Sequence, residues 1–380
     1  MIKKIFNKFK RCQLDTYIRV LKNYAKNRPL IFLRDIVGLV VGEKSFEKNH
    51  LLSDIELNKW GLHKKRVALV HRLAHLRRKK LEKHINAEDA AFFYTHGYIV
   101  KENFLTEAEF KALQSEIATH SFDTREMLQG NTVTRRMSLD AQQLQQTQKI
   151  AGFLQKTEWN NLISFVASFK VQPMNYIQVI FSKINQEQPD PQTNFHSDTF
   201  YSSAKAWLFL TDVDESTGPF MYVPGSHRAD EKRLAWEQHK ATQICTQQHT
   251  DVLSQRGSFR ISPQELQDFG FATPIKFNVK ANTLLIADTF GFHARGESEQ
   301  SAIRAEIWAY ARRNPMIPFT FGHYLALPWI KDRAVGLYWH ALDSLEAQKI
   351  KRSPWRKVGK LKVLDPAQIT TVEKQNKTHD

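Results

Sequence analysis

The sequence predicts a mainly β fold with flanking helices (α+β), a β-sandwich or jelly roll, preceded by a basic helical N-terminal extension. Three observations predict it. From about residue 174 the chain falls into short β-branched and aromatic runs separated by turn residues. Between residues 86 and 109 it shows helix start and stop signals instead. The formal charge of +16 is concentrated at one end: residues 1–84 hold 22 basic and 7 acidic residues, whereas the remaining 296 carry a net of +1. The organisation expected from these shifts is an extension over 1–85, a β domain over 86–320 and a C-terminal extension over 321–380.

The composition, 42% hydrophobic and 25% charged, is that of a globular chain and excludes a collagen-like, largely disordered or multi-span membrane protein. Cys12 and Cys245 are the only cysteines. Two distant cysteines build neither a disulfide framework nor a cysteine zinc site, and a reducing cytosol fits them. No uninterrupted apolar run of signal-peptide type follows the basic start, and Pro29 to Gly42 is too short to span a bilayer and is broken by Arg34 and Asp35.

Within the extension, Ile2, Ile5, Phe6 and Phe9 recur at helical spacing among lysines, and His63 to His84 carries Val67, Val70, Leu73, Leu76 and Leu81 among Arg72, Arg77, Arg78, Lys79 and Lys80. The expectation is an appendage outside the β fold with a solvated basic face, its histidines His71, His75 and His84 at the surface. Residues 2–11 and 63–84 also have the make-up of a membrane-surface segment, so a cytoplasmic protein with peripheral membrane attachment is expected. Nucleic acid is not favoured as a partner, because the block lacks any DNA-binding motif.

Asn86 before Glu88 and Asp89 opens a helix that Gly97 ends; Tyr98 to Val100 reads as a strand; Thr106 with Glu109 is a capping box. Strands are expected at Met174 to Ile184, Ala204 to Val213, Pro219 to Val223, Ile275 to Val279, Thr283 to Ala287 and Arg304 to Ala311. Residues 228–270 are polar, Gln-rich and helix-prone, and read as an insertion that supplies part of a pocket wall.

The chemistry-bearing feature is His196-Ser197-Asp198. Residues i and i+2 of an extended chain point to one face, so an imidazole and a carboxylate can hold one ion. His293, just after the apolar run Thr283 to Ala287, is a third ligand candidate. Two histidines and a carboxylate on one face of a metal leave the other face open, as non-haem Fe(II) oxygenases require. Arg304, eleven residues on, carries the planar fork suited to a carboxylate.

These pieces, in this order, resemble the phytanoyl-CoA dioxygenase family of Fe(II)/2-oxoglutarate oxygenases. The resemblance runs from Gly97-Tyr98-Ile99-Val100 and Phe104-Leu105-Thr106 through His196-Ser197-Asp198, Leu210-Thr211-Asp212-Val213, Gly218-Pro219-Phe220 and Val223-Pro224-Gly225-Ser226-His227 to His293 and Arg304, and covers about residues 86–315. It implies a double-stranded β-helix, or cupin-like jelly roll. It also implies Fe(II) on His196, Asp198 and His293, O2 and 2-oxoglutarate as co-substrates, and Arg304 on the distal carboxylate of 2-oxoglutarate. A second contact to that co-substrate is expected from the strand before His196, with Lys183 as the candidate. Halogenating relatives replace the carboxylate ligand by a small residue, so Asp198 favours hydroxylation. The expected substrate is a small molecule, a lipid or an acyl thioester; the fold does not fix which. A reading of another class, a membrane- or partner-binding protein on a cupin scaffold with a relict metal site, differs in its prediction for 2-oxoglutarate turnover.

Overall fold

The computed structural model describes residues 15, 17–185, 188–246, 251–327, 329–330 and 333–369. The N-terminal part contains helices α1 (Pro29–Val41) and α2 (Leu62–Leu81), followed by α3 (Ala87–His96) and α4 (Glu107–Thr119). Asn86 caps α3 through the Glu88 amide, Gly97 ends it at φ 89°, and Thr106 and Glu109 form the capping box of α4.

The strands are β1 (Tyr98–Lys101), β2 (Phe122–Gln129), β3 (Thr132–Ser138), β4 (Met174–Ser182), β5 (Ala204–Phe209), β6 (Phe220–Tyr222), β7 (Ile275–Lys276), β8 (Leu284–Asp288), β9 (His293–Arg295), β10 (Ala302–Ala311) and β11 (Arg356–Leu361). They form an eight-stranded antiparallel sheet in the order β1-β8-β5-β10-β4-β3-β2-β11 and a three-stranded sheet in the order β7-β6-β9. An isolated antiparallel bridge from His196 to His293 adds one more rung to the smaller sheet. The chain thus passes from the large sheet at β4 to the small one at His196, back at β5, across again at β6 and β7, and on through β8, β9 and β10 in alternation. That winding is a double-stranded β-helix.

The pleat sorts the residues of the large sheet. Ala305, Ile307, Ala309 and Ala311 of β10, Leu208 of β5 and Leu284 and Ile286 of β8 face outward, onto Phe93 of α3, Leu113 of α4 and Leu162 and Phe165 of α5 (Thr157–Ala167). The intervening Trp207, Phe209, Leu285 and Trp308 face the small sheet, against Phe220, Tyr222 and Phe277. Each such buried aliphatic or aromatic side chain contributes about 1.5–3 kcal/mol. Short Ala on β10 brings α5 close to the sheet.

The basic helix α2 is not solvated along its length. Arg77 and Arg78 are buried. Arg78 donates to the carbonyls of Phe165 and Val166 at the C-terminal end of α5, where the helix dipole is negative, and pairs with the Asp288 carboxylate at 2.7 Å. Arg77 donates to the carbonyls of Ser168 and Ile317. His63 is buried against Glu237 at 2.7 Å, on α6 (Glu231–Cys245), and His71 lies 4.0 Å from the Phe290 ring. The expectation of surface histidines therefore fails for His71: burial first, and then Arg78, pushes its imidazole well below the ordinary range.

The segment 228–270 lies between β6 and β7 and is helical, with α6 its longest part. The hairpin β2–β3 and strand β11 had no counterpart in the strand expectations. Beyond β10, α7 (Ala334–Ala347) buries Val335 and Trp339 against the inner core, and β11 pairs with β2 at the sheet edge.

Candidate metal centre

His196 and His293 sit opposite each other on one rung of the small sheet. Each backbone N–H donates to the other's carbonyl, at 3.0 and 2.9 Å. Their rings are consequently adjacent, with centroids 4.5 Å apart. Asp198 is held by its own N–H on the Thr289 carbonyl at 2.9 Å. One ligand atom from each of the three residues lies within 4.8 Å of the others. The Asp198 Oδ1 is 3.7 Å from His196 Nε2 and 3.6 Å from His293 Nε2.

The histidines are oriented for a metal. His196 Nδ1 is 2.8 Å from the Asn194 carbonyl and His293 Nδ1 is 2.9 Å from the Gly291 carbonyl. A carbonyl only accepts, so each Nδ1 carries the proton and each Nε2 keeps its lone pair. His293 Nε2 is buried with no hydrogen-bond partner among the described residues. Such an orphaned acceptor is costly unless something binds it, and a cation fits the donor set of two imidazoles and a carboxylate. Burial, and then the neighbouring His293, hold the His196 imidazole well below its ordinary pKa, which keeps it neutral. Burial raises the Asp198 pKa, but Lys205 and the two imidazoles outweigh it and hold the carboxyl well below its usual value.

The three residues open onto a cavity of about 350 Å³ between the sheets. Arg304 lines it from β10 and is almost fully buried; its Nε donates to Glu306 at 3.0 Å and its Nη1 to the Gly218 carbonyl at 2.5 Å. Glu306 in turn accepts from Gln178 at 2.8 Å, and Gln178 accepts from Arg136 at 3.2 Å. The structure does not bring Lys183 into this cavity. Strand β4 ends at Ser182, Lys183 turns to φ 50°, and its ammonium donates to the Glu299 carbonyl at 2.7 Å. The residue of β4 that does line the cavity is Gln178, placed there by the two-residue pleat.

Trp207, Trp308 and Tyr310 form cavity wall, while Phe209 is core. Asp212 pairs with Lys280 at the surface and is no partner of the site. His227 is packed beneath Gly97 and beside the Phe93 ring, far from a ligand role.

Sequence reasoning missed several lining cations: Lys44, Arg136, Lys205, Arg295 and Arg312. Lys205 pairs with Asp198 Oδ2 at 2.7 Å, and Lys44, from the N-terminal segment, donates to the Asp198 carbonyl at 2.7 Å. Burial pulls the Lys44 ammonium down to about 8 in spite of the Asp198 carboxylate. The position of Lys205 on the apolar strand Ala204–Phe209 was the one available signal, since a lone lysine in a buried strand needs a partner. Ser258, from the 228–270 segment, completes the wall beside Lys44.

A family model described as Phytanoyl-CoA dioxygenase (PhyH) matches residues 93–262, a span that includes His196 and Asp198 and ends before His293 and Arg304. No match is found among curated proteins. Solved structures to which the chain is similar include the non-heme alpha ketoglutarate dependent carbocyclase SnoK from nogalamycin biosynthesis, at 19% identity over 60% of this chain and 83% of that one, TM-score 0.37. HygX from Streptomyces hygroscopicus, with nickel, 2-oxoglutarate and hygromycin B bound, is similar at 15% identity over 60% and 88%, TM-score 0.36. EctD from S. alaskensis with bound Fe is similar at 15% identity over 60% and 77%, TM-score 0.33. Residues 93–262 are therefore the part of the chain that is similar to the phytanoyl-CoA dioxygenase family model.

Proposed function

We propose that the chain is an Fe(II)- and 2-oxoglutarate-dependent dioxygenase that hydroxylates an unactivated C–H bond of a small-molecule, lipid or acyl-thioester substrate, with succinate and CO2 as co-products. The observation that carries this reading is the convergence of His196 Nε2, His293 Nε2 and Asp198 Oδ1 on one point, with both Nδ1 atoms tied to backbone carbonyls. The family match supports the same reading.

Iron bound there would supply, with 2-oxoglutarate and O2, the oxidising chemistry, which belongs to the cofactor. The chain supplies position and environment. His196, His293 and Asp198 would hold the ion from one side, leaving room for co-substrates on the other. Arg304, fixed by Glu306 and Gly218, is the residue proposed to grip the far carboxylate of 2-oxoglutarate. Trp207, Phe220 and Trp308 give the cavity an apolar side that limits water near the reacting carbon. The carboxylate at Asp198 fills the position that a halide would need, which supports hydroxylation.

The test is anaerobic addition of Fe(II) and 2-oxoglutarate to the full chain. A weak visible charge-transfer band is expected, lost in His293→Ala, and succinate release should respond to one of the acyl-CoA, lipid or small-metabolite pools. A wild-type protein giving neither band nor succinate would leave the relict-site reading.

A second reading concerns location. Among the described residues no helix is long and apolar enough to cross a membrane. Helix α1 nevertheless exposes Leu30, Leu33, Val37, Val40 and Val41 to solvent, and Arg19, Lys22, Lys26 and Arg28 just before it are exposed too. This supports peripheral attachment to anionic membranes through α1. Of the segments expected to attach, residues 2–11 lie outside the described residues, and 63–84 has its Arg77 and Arg78 committed to the interior. Val37→Asp with Val40→Asp should abolish co-sedimentation with anionic vesicles; unchanged pelleting would reject the reading.

A further inference from the structure

Six cations line the cavity: Lys44, Arg136, Lys205, Arg295, Arg304 and Arg312. Three have carboxylate partners: Lys205 on Asp198, Arg295 on Asp190 and Arg304 on Glu306. Among the described residues, Lys44, Arg136 and Arg312 have no carboxylate within 4.0 Å. Like charges gathered in a cavity of low dielectric repel unless an anion joins them. Ferrous iron and the 2-oxoglutarate dianion cancel each other in charge, so the cofactor pair leaves the excess in place.

The excess is also distributed. Arg136, Gln178, Glu306 and Arg304 form one hydrogen-bonded row across β3, β4 and β10. Lys44, Lys205 and Arg312 gather at the other end, around Asp198. Lys44 and Lys205 both contact that residue at 2.7 Å, Lys205 stands opposite Tyr310 in the β5–β10 register, and Arg312 follows two residues after Tyr310. Arg304 and Arg312 are eight residues apart, roughly 26 Å of extended chain. A five-carbon diacid held at Arg304 spends its far carboxylate there.

We propose that Lys44, Lys205 and Arg312 form a second anion seat, and that the substrate carries a phosphate or carboxylate that docks on it while its reacting carbon faces the metal. The assignment rests on the oxygenase reading for its catalytic meaning, though not for the binding itself. Arg312 supplies the planar fork and the two lysines supply point charges, a combination suited to a phosphate monoester or a carboxylate. A neutral hydrocarbon would leave Lys44 and Arg312 without an anionic partner.

The test uses the full chain loaded with Mn(II) and excess 2-oxoglutarate, so that Arg304 is occupied, with the fluorescence of Trp207 and Trp308 as the signal. The probes are phenyl phosphate, benzoate, phenol, and phosphatidylcholine vesicles with and without phosphatidic acid. Saturable binding is expected for phenyl phosphate or benzoate, or for the phosphatidic acid vesicles if the anion is a lipid headgroup, and not for phenol or neutral vesicles. Arg312→Gln and Lys44→Gln should each weaken it at least tenfold, and Lys44→Arg should restore most of it; thermal melts identify any variant that fails to fold. Absence of binding by every anionic probe, equal binding of phenol, or affinity unchanged in both folded Gln variants would overturn the seat. The Fe(II)/2-oxoglutarate band is read separately. A band without anion binding sinks only the seat, and anion binding without a band sinks only the oxygenase.

Discussion

His196 and His293 hold each other by two reciprocal backbone hydrogen bonds, at 3.0 and 2.9 Å, so the two imidazoles are positioned by the same rung of the small sheet that joins their strands. The ligands are therefore as rigid as the sheet, and the supports of their rings are open to mutation. Gly291 is the sharpest case. Its carbonyl accepts the His293 Nδ1 proton, and a Cβ on it would overlap the buried Tyr222 hydroxyl, which donates to the Asp288 carbonyl. Gly291→Ala is expected to lower metal affinity by roughly 10–100-fold, the usual cost of disturbing the partner of a metal-bound histidine. Fe(II) or Mn(II) titration measures it. Wild-type affinity in a folded Gly291→Ala protein would show that the carbonyl does not orient the ring.

Arg304 should not be replaceable by lysine. Its guanidinium makes two different bonds at once, to Glu306 and to the Gly218 carbonyl, and a compact ammonium cannot keep both while also meeting a carboxylate. We expect Arg304→Lys to raise the KM for 2-oxoglutarate at least tenfold with folding intact, and Arg304→Ala to raise it further. The assignment to 2-oxoglutarate fails if both variants keep the wild-type concentration dependence of succinate release.

Arg78 is expected to be one of the most sensitive positions for stability. It is buried, pairs with the fully buried Asp288, and caps the carbonyl end of α5. Arg78→Met leaves Asp288 without its counter-ion and should destabilise the fold by about 3–5 kcal/mol in urea or thermal unfolding. An effect below about 1 kcal/mol would mean that water reaches the carboxylate.

Stability should fall on mild acidification. Burial, and then Arg78, press both His71 and His227 well below their ordinary pKa. Their folded values lie below the unfolded value of about 6.5, so below that pH the unfolded chain binds protons that the folded chain does not. The stabilisation is complete above about pH 6.5 and is lost as pH falls, by up to about 1.4 kcal/mol per pH unit for each histidine. Melting midpoints between pH 7.5 and 5 should decline, and less steeply in His227→Gln. A flat profile would place both rings in contact with solvent.

Much of the barrel was legible because its strands are apolar on both faces and end in clear turns, as in Ala204–Phe209 and Leu284–Asp288. The hairpin β2–β3 was hidden by charge. Arg135 and Glu126 face each other as a pair with no exposed surface, and in sequence such residues look like a solvated segment. The same inversion hid Arg77 and Arg78 on α2, since a charge count gives surface and interior cations equal weight. His196, Asp198, His293 and Arg304 were readable because each follows a short-range rule, the two-residue pleat or the end of an apolar strand. Lys44 followed none: its partner is 154 residues away. Lys183 misled because a single left-handed residue after β4 takes it out of the pleat's register.

That long reach of Lys44 bears on how the protein comes into being. The ribosome releases Lys44 well before Asp198, and Arg312 later still, so one wall of the reaction chamber waits, unpartnered, for most of synthesis. The family-matching stretch contains neither Lys44 nor Arg312, and it ends before β7 to β10. The cavity is therefore fully walled only once segments as far apart in the chain as Lys44 and Arg312 have come together.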